Sequence, residues 1–286
     1  MEEPKEKSGN IPRDPTEIVY YYARPAVVVV NYIDEDTNEK LADEIIINGH
    51  EGDEYTTEQK EIKYYKLDKT SGNEKGKMKV QVTKLDNGKE QVNDVTEVTY
   101  YYKKMKFNMK VDKMIGDIIL DGSVQTVNGK IGKAEIYRKN LGKANLRVSY
   151  KIKVENTGEI AGKATVIENI PSGMTVNSSS NAKWQLGNNI AQLETDEIKP
   201  GEFREYLIVL DWTKGESNLG TKDNTAEIIK TSNEAGFEEV DNSDNKDKAS
   251  VIITVGTGEH AYVLIATGMM LILLGAGYVI YKKTKK

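Results

Sequence analysis

Cysteine is absent from this chain of 286 residues, and histidine and phenylalanine are scarce, with two and three copies. The absence of cysteine excludes disulfides, a thiolate nucleophile and thiolate-bound metal. The histidines, His50 and His260, are isolated, and no G-x-S-x-G, H-x-x-x-H or glycine-rich phosphate-loop spacing occurs. We therefore expect no catalytic residue and no cofactor, and we interpret the chain as non-enzymatic.

An oxygen-rich run near the C-terminus is the one candidate for metal binding. It contains Asp241, Asp244, Asn245 and Asp247, but it lacks the spacing and the glycine of a calcium loop. We interpret it as a solvated acidic turn and expect no metal.

Basic residues are fewer than acidic ones, and the net charge is -5. A negatively charged chain is an unfavourable partner for nucleic acid. The first residues, Met1 to Thr16, are polar and lack the apolar core of a signal peptide. We therefore expect either that the chain is the C-terminal part of a longer protein or that its coding sequence starts further upstream.

One long apolar segment is present at the other end, and it is the strongest single feature of the sequence. No charged residue occurs from Ala261 to Tyr281, and a helix of this length crosses a hydrocarbon core of about 30 Å. Four lysines follow it and predict a cytoplasmic C-terminus, with the N-terminal part of the chain outside the cell. We predict a single transmembrane helix within a membrane anchor at 257–286.

The residues before this segment leave two modes of anchoring open. Thr257-Gly258 matches the second half of an LPxTG sorting signal, and an apolar span and a basic tail follow it, but the Leu and Pro are missing. Either a sortase cuts after Thr257 and links the protein to peptidoglycan, or the helix stays in the membrane.

An internal repeat marks the N-terminal part of the chain. Ser8-Gly9-Asn10 followed by Thr16 to Tyr22 recurs as Ser71-Gly72-Asn73 followed by Thr96 to Tyr102. Between the copies, Ala26 to Ile33 and Leu41 to Ile47 have the β-branched composition of strands. Asp86-Asn87-Gly88 predicts a hairpin inserted between Asn73 and Thr96.

Residues 26–104 resemble the MucBP (mucin-binding protein) repeat of Gram-positive surface proteins. The resemblance lies in the segment from Val28 to Asn73 and in the closing Val95 to Lys104, and it is interrupted by the inserted hairpin. It implies a β-grasp-like fold, a cell-surface location and host mucin or other glycans as ligands. Residues 1–25 would be the end of a preceding repeat.

From Phe107 onward the pattern predicts a longer all-β module at 105–256. Alternating segments such as Leu146 to Val154 are separated by turn residues at regular intervals, as in an immunoglobulin-like β-sandwich. We predict a turn at Gly122 to Asn128 and a single strand at Trp184 to Leu193. The segment from Tyr150 to Met174 resembles the bacterial surface-protein domain of unknown function 11, as do Ile198 to Glu202 and Asn224 to Ile228.

Three polar residues of this module fall on faces that the alternation assigns to the core, where unpaired charges are costly. They are Lys113, Glu168 and Asn224. Similar Gram-positive surface domains form an intramolecular Lys-Asn isopeptide bond promoted by a buried acid, and the resemblance implies those roles here. The alternative is that Lys113 extends to the sheet edge and Glu168 ends its strand in solvent. A register shift of one residue would make Lys110 the nucleophile.

Tyrosine is frequent, with 16 copies, and it clusters at Tyr20 to Tyr22, Tyr64-Tyr65 and Tyr100 to Tyr102. These rings either stack on sugars or alternate between the core and the surface of their own strands. The leading hypothesis is a surface adhesin or stalk. The alternatives are an envelope spacer without ligand and the C-terminal part of an anchored ectoenzyme.

Overall fold

A computed structural model describes residues 22–256. The chain divides into two compact units, with the boundary between Met105 and Lys106. Both units are built from β-strands, and the described residues contain no α-helix. The all-β prediction is therefore confirmed.

The described part of the N-terminal unit, from residue 22 onward, contains eight strands. They are β1 (Pro25–Asp34), β2 (Lys40–His50), β3 (Glu54–Thr56), β4 (Tyr65–Ser71), β5 (Lys75–Lys77), β6 (Gln81–Lys84), β7 (Glu90–Asn93) and β8 (Val95–Lys104). Four of these strands form a sheet in the order β2-β1-β8-β4, in which the central pair β1 and β8 is parallel. The strands β3 and β5 form a separate pair, and β6 and β7 form the predicted inserted hairpin.

The core of this unit follows the alternation of β1 and β8. Val28, Val30 and Tyr32 of β1 are buried, as are Tyr100 and Tyr102 of β8. The rings of Tyr32 and Tyr100 stack with their centroids 5.7 Å apart. Buried phenol groups require partners, and two of them reach the loop between β3 and β4, where Tyr100 meets the Thr57 hydroxyl and Tyr102 donates to the Lys60 carbonyl. The tyrosines thus fasten this loop to the sheet.

Asp34 organises the turn between β1 and β2. Its side chain is only 3% exposed, and it accepts hydrogen bonds from the backbone N–H groups of Asp36 and Thr37 at 2.8 and 3.1 Å and from the Tyr65 hydroxyl at 3.1 Å. Burial opposes ionisation, but these donors favour the carboxylate more strongly and hold the pKa of Asp34 below its ordinary value. Asp34 therefore joins the turn to β4 as an anion.

We predict that Asp34→Asn weakens the N-terminal unit by about 1 kcal/mol at neutral pH, because a neutral acceptor makes weaker hydrogen bonds. Since the pKa of Asp34 is lowered by folding, its contribution is complete above the pKa of the unfolded chain. It is lost as the pH falls through the pKa of the folded state.

Hydrogen exchange of the β1 and β8 amides measures this difference, which should shrink in acid. The matched control is Asp36→Asn, whose side chain is exposed in the same turn. Equal protection of the Asp34→Asn variant and the parent at neutral pH would contradict the assigned role.

The C-terminal unit is a two-sheet sandwich. Its strands are β9 (Met109–Leu120), β10 (Ser123–Gly129), β11 (Ile131–Tyr137), β12 (Leu146–Asn156), β13 (Gly162–Asn169), β14 (Met174–Val176), β15 (Gln185–Leu186), β16 (Ile190–Glu194), β17 (Phe203–Trp212), β18 (Gly220–Asn233) and β19 (Lys246–Gly256). Short 3-10 helices lie at Arg138–Asn140 and Glu216–Asn218. One sheet has the order β10-β9-β12-β17-β14, and the other has the order β11-β19-β18-β13-β16-β15.

The predicted turn at Gly122 to Asn128 is wrong, because the turn is confined to Asp121-Gly122 and β10 follows it directly. The predicted single strand at Trp184 to Leu193 is also wrong, since the chain reverses between β15 and β16. Asn189 has a φ of 58° in that reversal, a conformation that asparagine tolerates better than most residues. In both places turn-forming residues lie among strand formers, and their order alone does not fix where the chain reverses.

The predicted membrane anchor at 257–286, with Ala261 and Tyr281 as the ends of its helix, lies outside the described residues. Within residues 22–256 there is no helix with the length and apolar character needed to cross a bilayer.

Candidate cross-linking site

Lys113 lies in β9 and points into the sandwich. Its neighbours at alternate positions, Val111 and Ile115, are buried core residues, and Lys113 itself has 0% exposure. Strand β9 is hydrogen-bonded to β12, where Lys113 is paired with Ile152. The alternation of β9 therefore carries a lysine amine into an apolar interior.

Glu168 and Asn224 reach the same interior from the opposite sheet. Glu168 lies in β13 and Asn224 in β18, and both have 0% exposure. Glu168 is paired with Ala226, two residues from Asn224 on the same face, so the two polar side chains are diagonal neighbours. The structure thus brings together the three residues that the sequence singles out.

The Lys113 amine contacts the Glu168 carboxylate, with Nζ and Oε2 2.7 Å apart. Asn224 lies beside the same carboxyl group, and its neutral side-chain amide favours the charged form of Glu168, which lowers the pKa of Glu168. Among the residues that the structure describes, three buried polar atoms at this site have no hydrogen-bond partner. They are Glu168 Oε1 and both polar atoms of the Asn224 amide. The site therefore holds unused polar capacity at the point where an amine, an acid and a carboxamide meet.

Burial pushes both ionisable groups toward their neutral forms. Desolvation lowers the pKa of Lys113 even though the Glu168 charge opposes this change. Desolvation likewise raises the pKa of Glu168, against the influence of Lys113 and Asn224. A proton shared between them can therefore move to the carboxyl group, leaving a neutral amine.

Tyr150 of β12 completes the site. Its ring lies against the Lys113 amine, 4.4 Å from Nζ to the ring centroid, and its side chain is fully buried. Burial raises the pKa of the Tyr150 phenol, so this group stays protonated. The ring excludes water from the amine, which maintains the low polarity on which the neutral pair depends.

Chemically, this arrangement contains the parts needed for amide exchange. A neutral amine is a nucleophile, and a carboxamide carbon is an electrophile. A protonated carboxyl group can assist both addition and the departure of ammonia. Whether the bond forms stays a prediction at this stage.

Other residues that the sequence proposed for this chemistry lie elsewhere. Lys110 is exposed on the outer face of β9, so it does not reach the interior as a substitute nucleophile. Thr257 and Gly258 of the proposed sorting signal lie outside the described residues, as does His260. His50 is exposed, and its Nδ1 lies 3.6 Å from the Asp53 carboxylate.

The acidic run at 241–247, which the sequence predicts as a solvated turn, makes hydrogen bonds to β9 and to the residue before it. Asp241 accepts the Ser243 N–H within the turn, whereas Asp244 accepts from the Asn108 side chain and Asp247 accepts the Lys113 N–H. Within residues 22–256 no group of three or more His, Cys, Asp or Glu side chains could hold a metal ion. The run connects β19 to β9.

The cluster from Tyr100 to Tyr102 follows the alternation within a strand that the sequence predicts as one of two alternatives, whereas Tyr20 and Tyr21 lie outside the described residues. Tyr100 and Tyr102 are 1% and 2% exposed, and Tyr101 between them is half-buried. Tyr64 and Tyr65 are also half-buried. The rings of Tyr100 and Tyr102 are therefore committed to the core and do not offer faces to a sugar.

Three residues at this site were not identified from the sequence as part of it. Tyr150 lies on the inward face of a clearly alternating strand, so its burial could have been inferred, but not its contact with Lys113. Asp247 and Lys130 contact the backbone of Lys113. No local pattern indicates those contacts, because they depend on how the two sheets are connected.

Comparison with known families gives one match, to the MucBP domain, over residues 27–103. This match agrees with the resemblance inferred from the sequence and covers about a quarter of the chain. A search of curated proteins finds no match.

Comparison with solved structures gives several low-scoring matches to bacterial proteins. BcpA, the major pilin subunit of Bacillus cereus, is 14% identical with a TM-score of 0.34, over 81% of this chain and 70% of the pilin chain. The full-length major pilin SpaD from Corynebacterium diphtheriae is 9% identical with a TM-score of 0.25, over 80% of this chain and 64% of that chain. The bacterial hydrophobin BslA is 11% identical with a TM-score of 0.30, over 52% of this chain and 97% of that chain. We draw no functional conclusion from these similarities, because all three TM-scores are low.

Proposed function

We propose that this chain is part of a cell-surface adhesin or stalk of a Gram-positive bacterium and that its C-terminal sandwich is cross-linked by an isopeptide bond. The buried contact between Lys113 and Glu168, beside the Asn224 carboxamide, is the observation that carries this proposal. The MucBP match of residues 27–103 supports the surface setting. In this proposal residues 26–104 are a β-grasp-like repeat and residues 105–256 an immunoglobulin-like module of the domain of unknown function 11 type.

The reaction balances without any outside reagent. Proton transfer from the Lys113 ammonium to Glu168 gives a neutral amine and a neutral acid. The amine nitrogen then attacks the side-chain carbonyl carbon of Asn224, the carbon–nitrogen bond of the carboxamide breaks, and ammonia leaves. Glu168 donates a proton to the departing nitrogen and recovers one from the attacking nitrogen, so it ends as the neutral acid that the first proton transfer formed.

The bond would join β9 of one sheet to β18 of the other, and it would replace a buried ion pair by a neutral amide. In a chain without cysteine, this is a covalent stabilisation that needs no oxidant. A protein of this kind has a structural function, with no turnover of an external substrate.

We predict that the intact mass of the whole chain is lower than the sequence mass by one ammonia molecule. Lys113→Met and Asn224→Ala should each restore the full mass, because each removes one reacting group. Glu168→Gln should slow formation of the bond by about 100-fold or more, since it removes proton transfer.

The matched control for this measurement is Lys110→Met, which changes an exposed lysine of the same strand and should retain the deficit. Digestion of the parent should also yield one branched peptide containing Lys113 and Asn224. A parent chain of full sequence mass would show that no bond forms.

We also predict that Lys113→Met lowers the unfolding free energy of the C-terminal unit by about 4–5 kcal/mol, because the bond closes a loop on the order of 100 residues. Trp184 and Trp212 report on this unit alone, since they are the two tryptophans of the chain. Denaturant titration followed by their fluorescence gives the difference. Lys110→Met serves as the control, and an equal midpoint for Lys113→Met and the parent would contradict a stabilising cross-link.

For the N-terminal unit, the proposal is adhesion to host mucin or other glycans, with a ligand-free envelope spacer as the alternative. The MucBP match supports adhesion. The burial of Tyr100 and Tyr102 excludes their rings from sugar stacking, so a glycan would have to be recognised by other residues.

We predict that the whole chain binds mucin-type glycans on an array. Lys113→Met should bind equally well, because the substitution lies in the other unit. Absence of binding to any glycan of the array would favour the spacer.

For attachment, we propose an anchor at 257–286, either retained in the membrane through Ala261 to Tyr281 or cut after Thr257 by a sortase. The supporting features are those of the sequence alone. The two modes differ in the C-terminal residue of the mature protein, which is Thr257 bonded to a peptidoglycan fragment only if a sortase acts.

A further inference from the structure

The outer edge of β9 near Lys113 is held by side chains and loop atoms instead of a strand. Strand β12 pairs with β9 from Met109 to Leu120, but on the other side β10 pairs with it only from Ile115 onward. Between Met109 and Lys113, no strand among the described residues covers this second side of β9. The backbone N–H groups of β9 that face this side have no strand to pair with, so they require other hydrogen-bond partners.

Three acceptors supply those partners, and all belong to β19 or to the loop that leads into it. The Met109 N–H donates to the Glu239 carboxylate at 2.8 Å, the Val111 N–H to the Asp244 carbonyl at 3.1 Å and the Lys113 N–H to the Asp247 carboxylate at 2.6 Å. The strand that carries the nucleophile is thus attached to the opposite sheet along one edge.

Lys113 is held at its backbone carbonyl as well. The Lys130 amine donates to the Lys113 carbonyl oxygen at 2.6 Å and also contacts the carboxylates of Asp247 and Asp112. Lys130 lies between β10 and β11, where the chain crosses from one sheet to the other. Its own carbonyl accepts the Ser250 N–H of β19 at 2.8 Å. Asp247 and Lys130 together therefore bind both backbone polar groups of Lys113.

The two residues that hold Lys113 from the six-stranded sheet, Glu168 and Asp247, lie in one row that runs across its strands. Glu168 is paired with Ala226, and Ala226 is paired with Asp247, so the three residues lie side by side on adjacent strands and point to the same face. The two ends of the row are about 10 Å apart, because strands lie about 4.8 Å apart. Asp247 at one end binds the Lys113 backbone, and Glu168 at the other end binds its amine.

We infer that Asp247 and Lys130 are positioning residues for cross-link formation: they fix the backbone of Lys113 so that its amine meets Glu168 and Asn224. This inference rests on the proposed isopeptide bond. A lysine side chain is long and flexible, and a misplacement of about 1 Å can slow an oriented reaction by about 100-fold. Because Lys130 and Asp247 are partly exposed, their ion pair adds little stability, and its contribution lies in the geometry it imposes.

The same two residues act oppositely on the charge of Lys113. The groups facing its amine are Glu168, the Tyr150 ring and Asn224, with Asp247 and Lys130 behind it. The Asp247 charge raises the pKa of Lys113, whereas the Lys130 charge lowers it. Substitution of either residue should slow the reaction, yet the two substitutions should shift its pH dependence in opposite directions.

The test is a time course of ammonia loss, measured by intact mass after cell-free synthesis of the whole chain at several pH values. Asp247→Ala should slow formation of the bond by about 10-fold to 100-fold. Asp247→Asn retains an acceptor for the Lys113 N–H, so it should recover much of the rate, with the pH profile moved to lower pH. Lys130→Met should slow the reaction and move the profile to higher pH.

The matched control is Lys133→Ala, which removes an exposed lysine of β11 that is paired with Glu135. It should leave both rate and profile unchanged. Limited proteolysis isolates the folded molecules in each sample, so that a folding defect is not counted as a slow reaction.

The outcomes separate this inference from the proposal on which it rests. A parent chain that never loses ammonia overturns both. A parent that loses ammonia, with folded Asp247→Ala and Lys130→Met reacting at the parental rate, overturns the positioning role alone. Equal slowing without opposite shifts of the pH profile also contradicts it, since a general weakening of the fold would produce that result.

Discussion

The contact between the Lys113 amine and the Glu168 carboxylate, with no exposed surface on either side chain, is the constraint on which the C-terminal unit depends. Two charges removed from water are costly, and their attraction repays that cost only when every remaining polar atom is satisfied. Here Glu168 Oε1 and the Asn224 amide are not satisfied within the described residues. Proton transfer lowers the cost by neutralising both groups, and amide formation would make that neutrality permanent.

The N-terminal unit deals with buried polar groups in a different way. Its interior contains tyrosines whose hydroxyls reach the edge of the core and find Thr57 and the Lys60 carbonyl. The one deeply buried acid among its described residues, Asp34, accepts hydrogen bonds that stabilise the charged form. Both oxygens of Asp34 have hydrogen-bond donors, whereas incomplete hydrogen bonding in the second unit leaves polar groups available. Under the proposed cross-link, buried polar groups serve structure in the first unit and chemistry in the second.

Much of this arrangement follows from side-chain alternation, which is why Lys113, Glu168 and Asn224 could be predicted as inward-facing from the sequence. Alternation says which face a residue occupies but not which residue lies opposite, so it missed the contact of Tyr150 with Lys113. It missed Asp247 and Lys130 because their contacts with the Lys113 backbone depend on a crossover between the sheets. The errors at 122–128 and 184–193 arise where glycine and asparagine lie among strand formers, and the position of the reversal depends on tertiary pairing.

The location of the proposed bond would let it carry tension in the proposed stalk. Lys113 lies in the first strand of the sandwich and Asn224 in the penultimate strand. Tension applied at the two ends of this unit would pass from β9 through the bond into β18 and then β19. The backbone from 114 to 223 would carry none of it, because the bond is the shorter covalent path. Hydrogen bonds between the strands in that segment would then not have to resist extension, and only the segments before Lys113 and after Asn224 would still bear the load. A bond between two strands in the middle of the chain would leave longer segments at both ends free to peel away, so a bond from the first strand to the penultimate one would suit the module to the proposed stalk.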